Sequence, residues 1–153
     1  MTIDPFPPRL NLGCGQRKME SHINIDMNPL VSPDVVLDVE GGLPFLDSTI
    51  HVICAHDFLE HIHPDRVIFV MNEIWRVLVP SGVLDHFTPS TDGRGAFQDP
   101  THRSFWNRNS WLYYMDDAYR ALYHIQAKFT GLNEDVHTGL GVIHTRGRLL
   151  AVK

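Results

Sequence analysis

Leu10-Asn11-Leu12-Gly13-Cys14-Gly15, then Ile23-Asn24-Ile25-Asp26 and Val35-Val36-Leu37-Asp38, decide the fold of this chain. Each piece is a short apolar run closed by a turn former or a carboxylate. Such runs, rich in β-branched residues, suit strands buried on both faces of a parallel sheet. Val52–Ala55, ending at His56-Asp57, and Gly82–Phe87, ending before Thr88-Pro89, repeat the pattern. Between these two runs Pro64 opens a helix in which Val67, Met71, Ile74, Trp75 and Leu78 recur at helical spacing. Asp65, Arg66, Asn72, Glu73 and Arg76 take its other face, and Pro80-Ser81-Gly82 stops it. Strand, helix, strand makes a βαβ unit with a right-handed crossover.

Only ten residues separate Leu12 from Ile23, so a helix after the glycines is little more than one turn. Downstream, a weaker helix is expected over about Asn109–Met115. Two strands are expected near Gln126–Leu132 and Gly147–Val152, where an antiparallel pairing would close the sheet edge. The arm Met1–Pro8 carries three prolines and cannot join a central sheet.

The 153 residues are read as one domain, 1–153, whose 43% hydrophobic and 20% charged content fits a globular protein. A net charge of -5 argues against extended nucleic-acid binding, although Arg94, His102, Arg103 and Arg108 gather within fifteen residues. Cys14 and Cys54 match no disulfide or zinc spacing, which suits a reducing compartment. MTIDPFPPRL lacks the apolar core of a signal peptide, and no apolar run reaches membrane-spanning length. A cytoplasmic location without a membrane partner is expected. The ten histidines show no HExxH or similar ligand spacing, so no metal site is expected.

In an open parallel sheet, ligands bind beyond the carboxyl ends of the strands, where strand order reverses. The glycines of Gly13-Cys14-Gly15 permit a tight turn and let a ligand lie against bare backbone. Asp26, closing the second strand, is placed to accept hydrogen bonds from both hydroxyls of a ribose, and Asp38, closing the third, lies where an adenine ring would sit. Any one of these is equally well a turn glycine or a strand-ending aspartate. Their order within 26 residues is the informative feature.

These segments resemble the class I S-adenosylmethionine-dependent methyltransferases, in particular the compact methyltransferase-11-like group. The likeness is carried by the two motifs above, by Asp38-Val39-Glu40 with Leu43-Pro44-Phe45, by Ala55-His56-Asp57-Phe58-Leu59-Glu60-His61-Ile62, and by the helix leading into Gly82. It implies an α/β Rossmann-like three-layer sandwich around a mostly parallel seven-stranded sheet of order 3-2-1-4-5-7-6, with a shortened first crossover. It also implies S-adenosyl-L-methionine as cofactor. Gly13, Cys14 and Gly15 would meet its methionine part, Asp26 its ribose, Asp38 and Val39 its adenine, and His56 its sulfonium. Asn11 stands where the family usually has an acidic residue, and Arg17 where it has a third glycine.

The loop Asp92–Asn107 should hang over the same edge. Long loops in small domains are usually functional or disordered, and three aromatics argue against disorder. His102 is a candidate base for an attacking hydroxyl or amine, Arg103 a candidate for orienting the acceptor, and Phe105 and Trp106 candidate walls. Alternatively the aromatics complete the core and His102 ties the loop. The acceptor and the oligomeric state are not legible. A module that binds the cofactor without catalysis is the alternative function. A nicotinamide oxidoreductase would need G-x-G-x-x-G opening a full helix, which Gly13-Cys14-Gly15-Gln16-Arg17-Lys18 does not supply.

Overall fold

The computed structural model describes residues 8–153, so the arm Met1–Pro8, apart from Pro8, lies outside the described residues. Seven strands form one sheet: β1 (Arg9–Leu12), β2 (Ile23–Asp26), β3 (Val35–Val36), β4 (Ile50–His56), β5 (Leu78–Pro89), β6 (Phe129–Gly139) and β7 (Val142–Ala151). Their order is β3-β2-β1-β4-β5-β7-β6. The first five run parallel, while β7 lies antiparallel to both β5 and β6. Order reverses between β1 and β4, which opens a crevice at their carboxyl ends.

Period-two alternation decides which face each strand buries. Leu10, Leu12, Ile25, Ile53, Ala55, Leu84, Leu149 and Ala151 are fully or nearly fully buried. Helix α1 (Val67–Val77) brings Val70, Met71, Ile74 and Val77 to the same core. The 3-10 segment Arg108–Tyr114 replaces the α-helix expected there, and a capping box at Asn107 starts it. Its Trp111 is buried and stacks on His86 at 3.6 Å between ring centroids. Two short helices, α2 (Gly95–Gln98) and α3 (Asp117–Leu122), complete the set.

The layer expected on the opposite face is thin. The β1–β2 connection is all turn, and the β2–β3 connection holds one three-residue 3-10 turn, Pro29–Val31. On strand β7, Arg146, Arg148 and Leu150 are exposed. No helix among the described residues is long and apolar enough to cross a membrane.

Candidate functional site

The glycine turn is built by conformation. Gly13 and Gly15 sit at φ 62° and 47°, a region that costs any residue with a Cβ. A Cβ on Gly13 would also stand 2.5 Å from Cδ2 of Phe58. Backbone N–H of Cys14 donates to the Ile25 carbonyl at 3.0 Å, and that of Gly15 donates to Asp26 Oδ2 at 2.9 Å. The other oxygen, Oδ1, accepts from Asn28 N–H at 2.9 Å. Asp26 therefore fixes the turn to the end of β2, and each of its oxygens keeps a further lone pair. Asp38 Oδ1 accepts from Glu40 N–H at 3.0 Å and caps the 3-10 turn Val39–Gly41. Gly13, Asp26, Asp38, Val39, Phe58 and Arg103 line one cavity of about 210 Å³.

Other expected cofactor contacts fall elsewhere. Asn11 is buried, and its amide donates to the Arg17 carbonyl at 2.9 Å and to Asn24 Oδ1 at 3.0 Å. With both amide hydrogens committed inward, Asn11 braces the turn from behind and does not line the cavity. The Cys14 side chain is buried, and burial is the main cause pushing its thiol pKa up. Only the backbone of Cys14 takes part in the turn. His56 does not line the cavity either. Strand parity sends it to the same face as Cys54, where Nε2 meets Asp85 Oδ1 at 2.8 Å.

His102 and Arg103 also part company. Arg103 lines the cavity of Asp26 and Asp38, with Nη1 3.9 Å from Glu40 Oε1. The His102 side chain is 7% exposed and Nδ1 lies 2.9 Å from the Ala96 carbonyl. A carbonyl only accepts, so Nδ1 carries a proton and the neutral ring keeps its lone pair on Nε2. Of the two expected aromatic walls, Trp106 is in the core, whereas Phe105 is 52% exposed and stacks on Phe97.

Beside His102 lies a residue that the sequence reading did not single out. Glu60 is 2% exposed, and neither carboxylate oxygen has a hydrogen-bond partner among the described residues. Burial pushes its pKa up to about 8, because ionisation there loses water and gains no cation. The backbone explains how it is held. N–H of Arg103 and of Ser104 both donate to the Glu60 carbonyl, at 2.7 and 3.0 Å, and Ser104 Oγ donates to the Leu59 carbonyl at 2.7 Å. One ligand atom from each of Glu60, His61 and His102 lies within 4.8 Å of the others. A second cavity of about 290 Å³ is lined by Asp57, Glu60, His61, Asp99, His102 and His144. His61 lines both cavities. Asp57 adopts φ 48° and pairs with Arg17 at 2.6 Å and His144 at 3.4 Å. The available signal was the adjacent Asp57, Glu60 and His61 at the end of β4.

A family model described as a methyltransferase domain matches residues 10–84, the stretch that carries the glycine turn, Asp26, Asp38 and Glu60. Residues 10–84 belong to that methyltransferase-domain family. Solved structures with this fold include an S-adenosylmethionine-dependent methyltransferase from Archaeoglobus fulgidus, at TM-score 0.69 and 13% identity, covering 94% of this chain and 86% of that one. Another is the 1,6-didemethyltoxoflavin-N1-methyltransferase of Burkholderia thailandensis, solved with 1,6-didemethyltoxoflavin and S-adenosylhomocysteine bound (TM-score 0.64, 17% identity, 95% and 71% covered). A third is the [4+2]-cyclase SpnF, at TM-score 0.71, 15% identity and coverage of 95% and 74%. At such identities the likeness is one of fold. No curated protein matches the sequence.

Proposed function

We propose that this methyltransferase-family chain binds S-adenosylmethionine with its adenosyl part in the Asp26–Asp38 cavity and methylates an acceptor that enters beside Glu60. The observation that carries the reading is the convergence of Gly13, Asp26, Asp38 and Val39 on one cavity. Its donor set suits an adenosine. Asp26 offers carboxylate lone pairs to ribose hydroxyls, Asp38 offers them to an exocyclic amine, and Ile25, Leu37, Val39 and Ile62 supply apolar contact for a ring. At about 210 Å³ the cavity falls below the roughly 300 Å³ at which sites for drug-sized ligands begin, so it suits the adenosyl part alone. The remaining part would lie over the bare backbone of Gly13-Cys14-Gly15.

Bound there, the sulfonium supplies an activated methyl group, and the protein's task is to position the acceptor and manage its proton. The Glu60 cavity adjoins the first through His61, which lines both. His102, with Nδ1 anchored on Ala96, presents Nε2 as the acceptor of that proton, and Glu60, whose pKa burial pushes up to about 8, stands beside it. Arg103 stands in the cofactor cavity and is assigned to cofactor binding, not to catalysis. The acceptor is a molecule whose attacking oxygen or nitrogen carries a proton to be lost.

The test is titration with S-adenosylhomocysteine and, separately, NAD. Saturable binding of the first without the second supports the reading, and the reverse refutes it. His102→Ala should then retain S-adenosylhomocysteine binding and lower turnover by about 10²–10⁴-fold, the usual contribution of a general base. A cofactor-binding module without transfer is the second reading. It is favoured by Asn11, which spends its amide inside the fold where the family's acid would add negative charge. Binding without turnover across an acceptor panel would select it.

A further inference from the structure

We propose that Cys54, His56 and Asp85, with His22 beside Cys54, form a zinc-class metal site on the face of the sheet opposite α1, away from both cavities described above. Cys54 and His56 are two apart on β4 and therefore share a face, and Asp85 is the register partner of Cys54 on neighbouring β5. One ligand atom each from Cys54, His56 and Asp85 lies within 4.8 Å of the other two. His22, just before β2, reaches across β1 and places Nε2 3.6 Å from Cys54 Sγ. A tetrahedral ion with Zn–S of about 2.3 Å and Zn–N of about 2.0 Å separates its sulfur and nitrogen by about 3.5 Å. Two imidazoles, a thiol and a carboxylate are the ligand types that borderline divalent ions such as Zn²⁺ select.

The surroundings fit that set. Asp85 has Oδ1 on His56 at 2.8 Å and Oδ2 on Arg148 Nε at 3.4 Å. Metal on Oδ1 would leave the arginine contact in place to orient the carboxylate. Binding releases the thiol proton to solvent, and the His56 proton moves to Nδ1 so that Nε2 can coordinate. The hydrogen bond between His56 and Asp85 must then open by roughly half an ångström to reach a coordination spacing. Ligands from β4 and β5, joined by His22 from the entry to β2, would clamp the face of the sheet opposite α1. Spacing rules along the sequence miss such a site, because only Cys54 and His56 are close in the chain.

The experiment uses the full chain, stripped with a chelator and titrated with Co²⁺ and with Zn²⁺. One equivalent of Co²⁺ should bind with a thiolate-to-cobalt charge-transfer band, displaced by Zn²⁺, and Zn²⁺ should raise Tm. Cys54→Ser should abolish the band. His56→Ala and Asp85→Asn, at half-exposed positions that need not unfold the chain, should each weaken binding by more than about 10–100-fold, the loss already seen for outer-shell changes. His102→Ala should leave the band intact, which separates this site from the Glu60 cluster. Absence of Co²⁺ binding, binding without a charge-transfer band, or a band surviving in His56→Ala and Asp85→Asn would overturn the proposal. None of these results bears on S-adenosylhomocysteine binding.

Discussion

The two faces of the sheet solve the same problem differently. On one face, Leu10, Ile53, Leu84 and Leu149 are buried under α1 and the segment around Trp111. On the other, the connections that usually become helices are turns, and polar side chains must satisfy one another: His56 with Asp85, Asp85 with Arg148, His22 with Cys54. The contrast shows that a class I methyltransferase sheet keeps its strand order when one helical layer is thinned, provided the remaining face supplies the core. It also shows why the cavities sit at the strand ends, a rim that both faces share.

Substitutions on the two faces should therefore differ most in cost. Ile53→Ala and Ile74→Ala, both at fully buried positions, should each lower unfolding free energy by about 2–5 kcal/mol. Gly13→Ala should follow. It must hold φ 62° with a Cβ 2.5 Å from Phe58, so a loss of about 1–3 kcal/mol is expected, together with weakened S-adenosylhomocysteine binding. At the other extreme, Leu150→Ala on the opposite face, where the side chain is 39% exposed, should change stability by no more than about 0.5 kcal/mol. Denaturant unfolding measures all of these. A cost at Leu150 matching that at Ile53 would mean that something covers the second face.

The shared rim can be tested through pH. Glu60 keeps its proton up to about pH 8 in the fold and loses it near its ordinary 4.5 once unfolded. Between those values the native state binds more protons, so this group makes stability fall as pH rises through that window. Glu60→Gln mimics the protonated form and should remove that slope. At pH 8 the variant should exceed the wild type by roughly 1–3 kcal/mol, while at pH 4 the two should match. Parallel stability curves from pH 4 to 9 would contradict the buried, unpaired carboxylate.

How much of this was legible depended on whether the cause was local. Strand ends were legible because Gly13, Asp26 and Asp38 punctuate apolar runs, and α1 because its stripe repeats at 3.6 residues. The sheet order came from resemblance to a family, not from any one residue. The position of His56 was also available in principle, since Ala55 and His56 must point to opposite faces, but a strand-end histidine beside a sulfonium was the stronger association. The hairpin was under-read: β6 runs on through Asn133–Thr138, mostly exposed, and β7 begins with Val142–Arg146, where polar Thr145 is the buried residue, so neither stretch shows hydrophobic alternation. The burial of Glu60 depends on Arg103 and Ser104 folding back forty residues later, which no local pattern announces. Arg103 lines the Asp26–Asp38 cavity for the same reason.

Calorimetric titration of S-adenosylhomocysteine into the wild-type chain and Asp26→Ala is the most direct test of the rim as a cofactor site. One saturable binding event in the wild type, weakened at least about 100-fold by losing charge-assisted hydrogen bonds of roughly 1.5–3 kcal/mol each, is the expected result. No heat in the wild type, or undiminished heat in a folded Asp26→Ala protein, would contradict it.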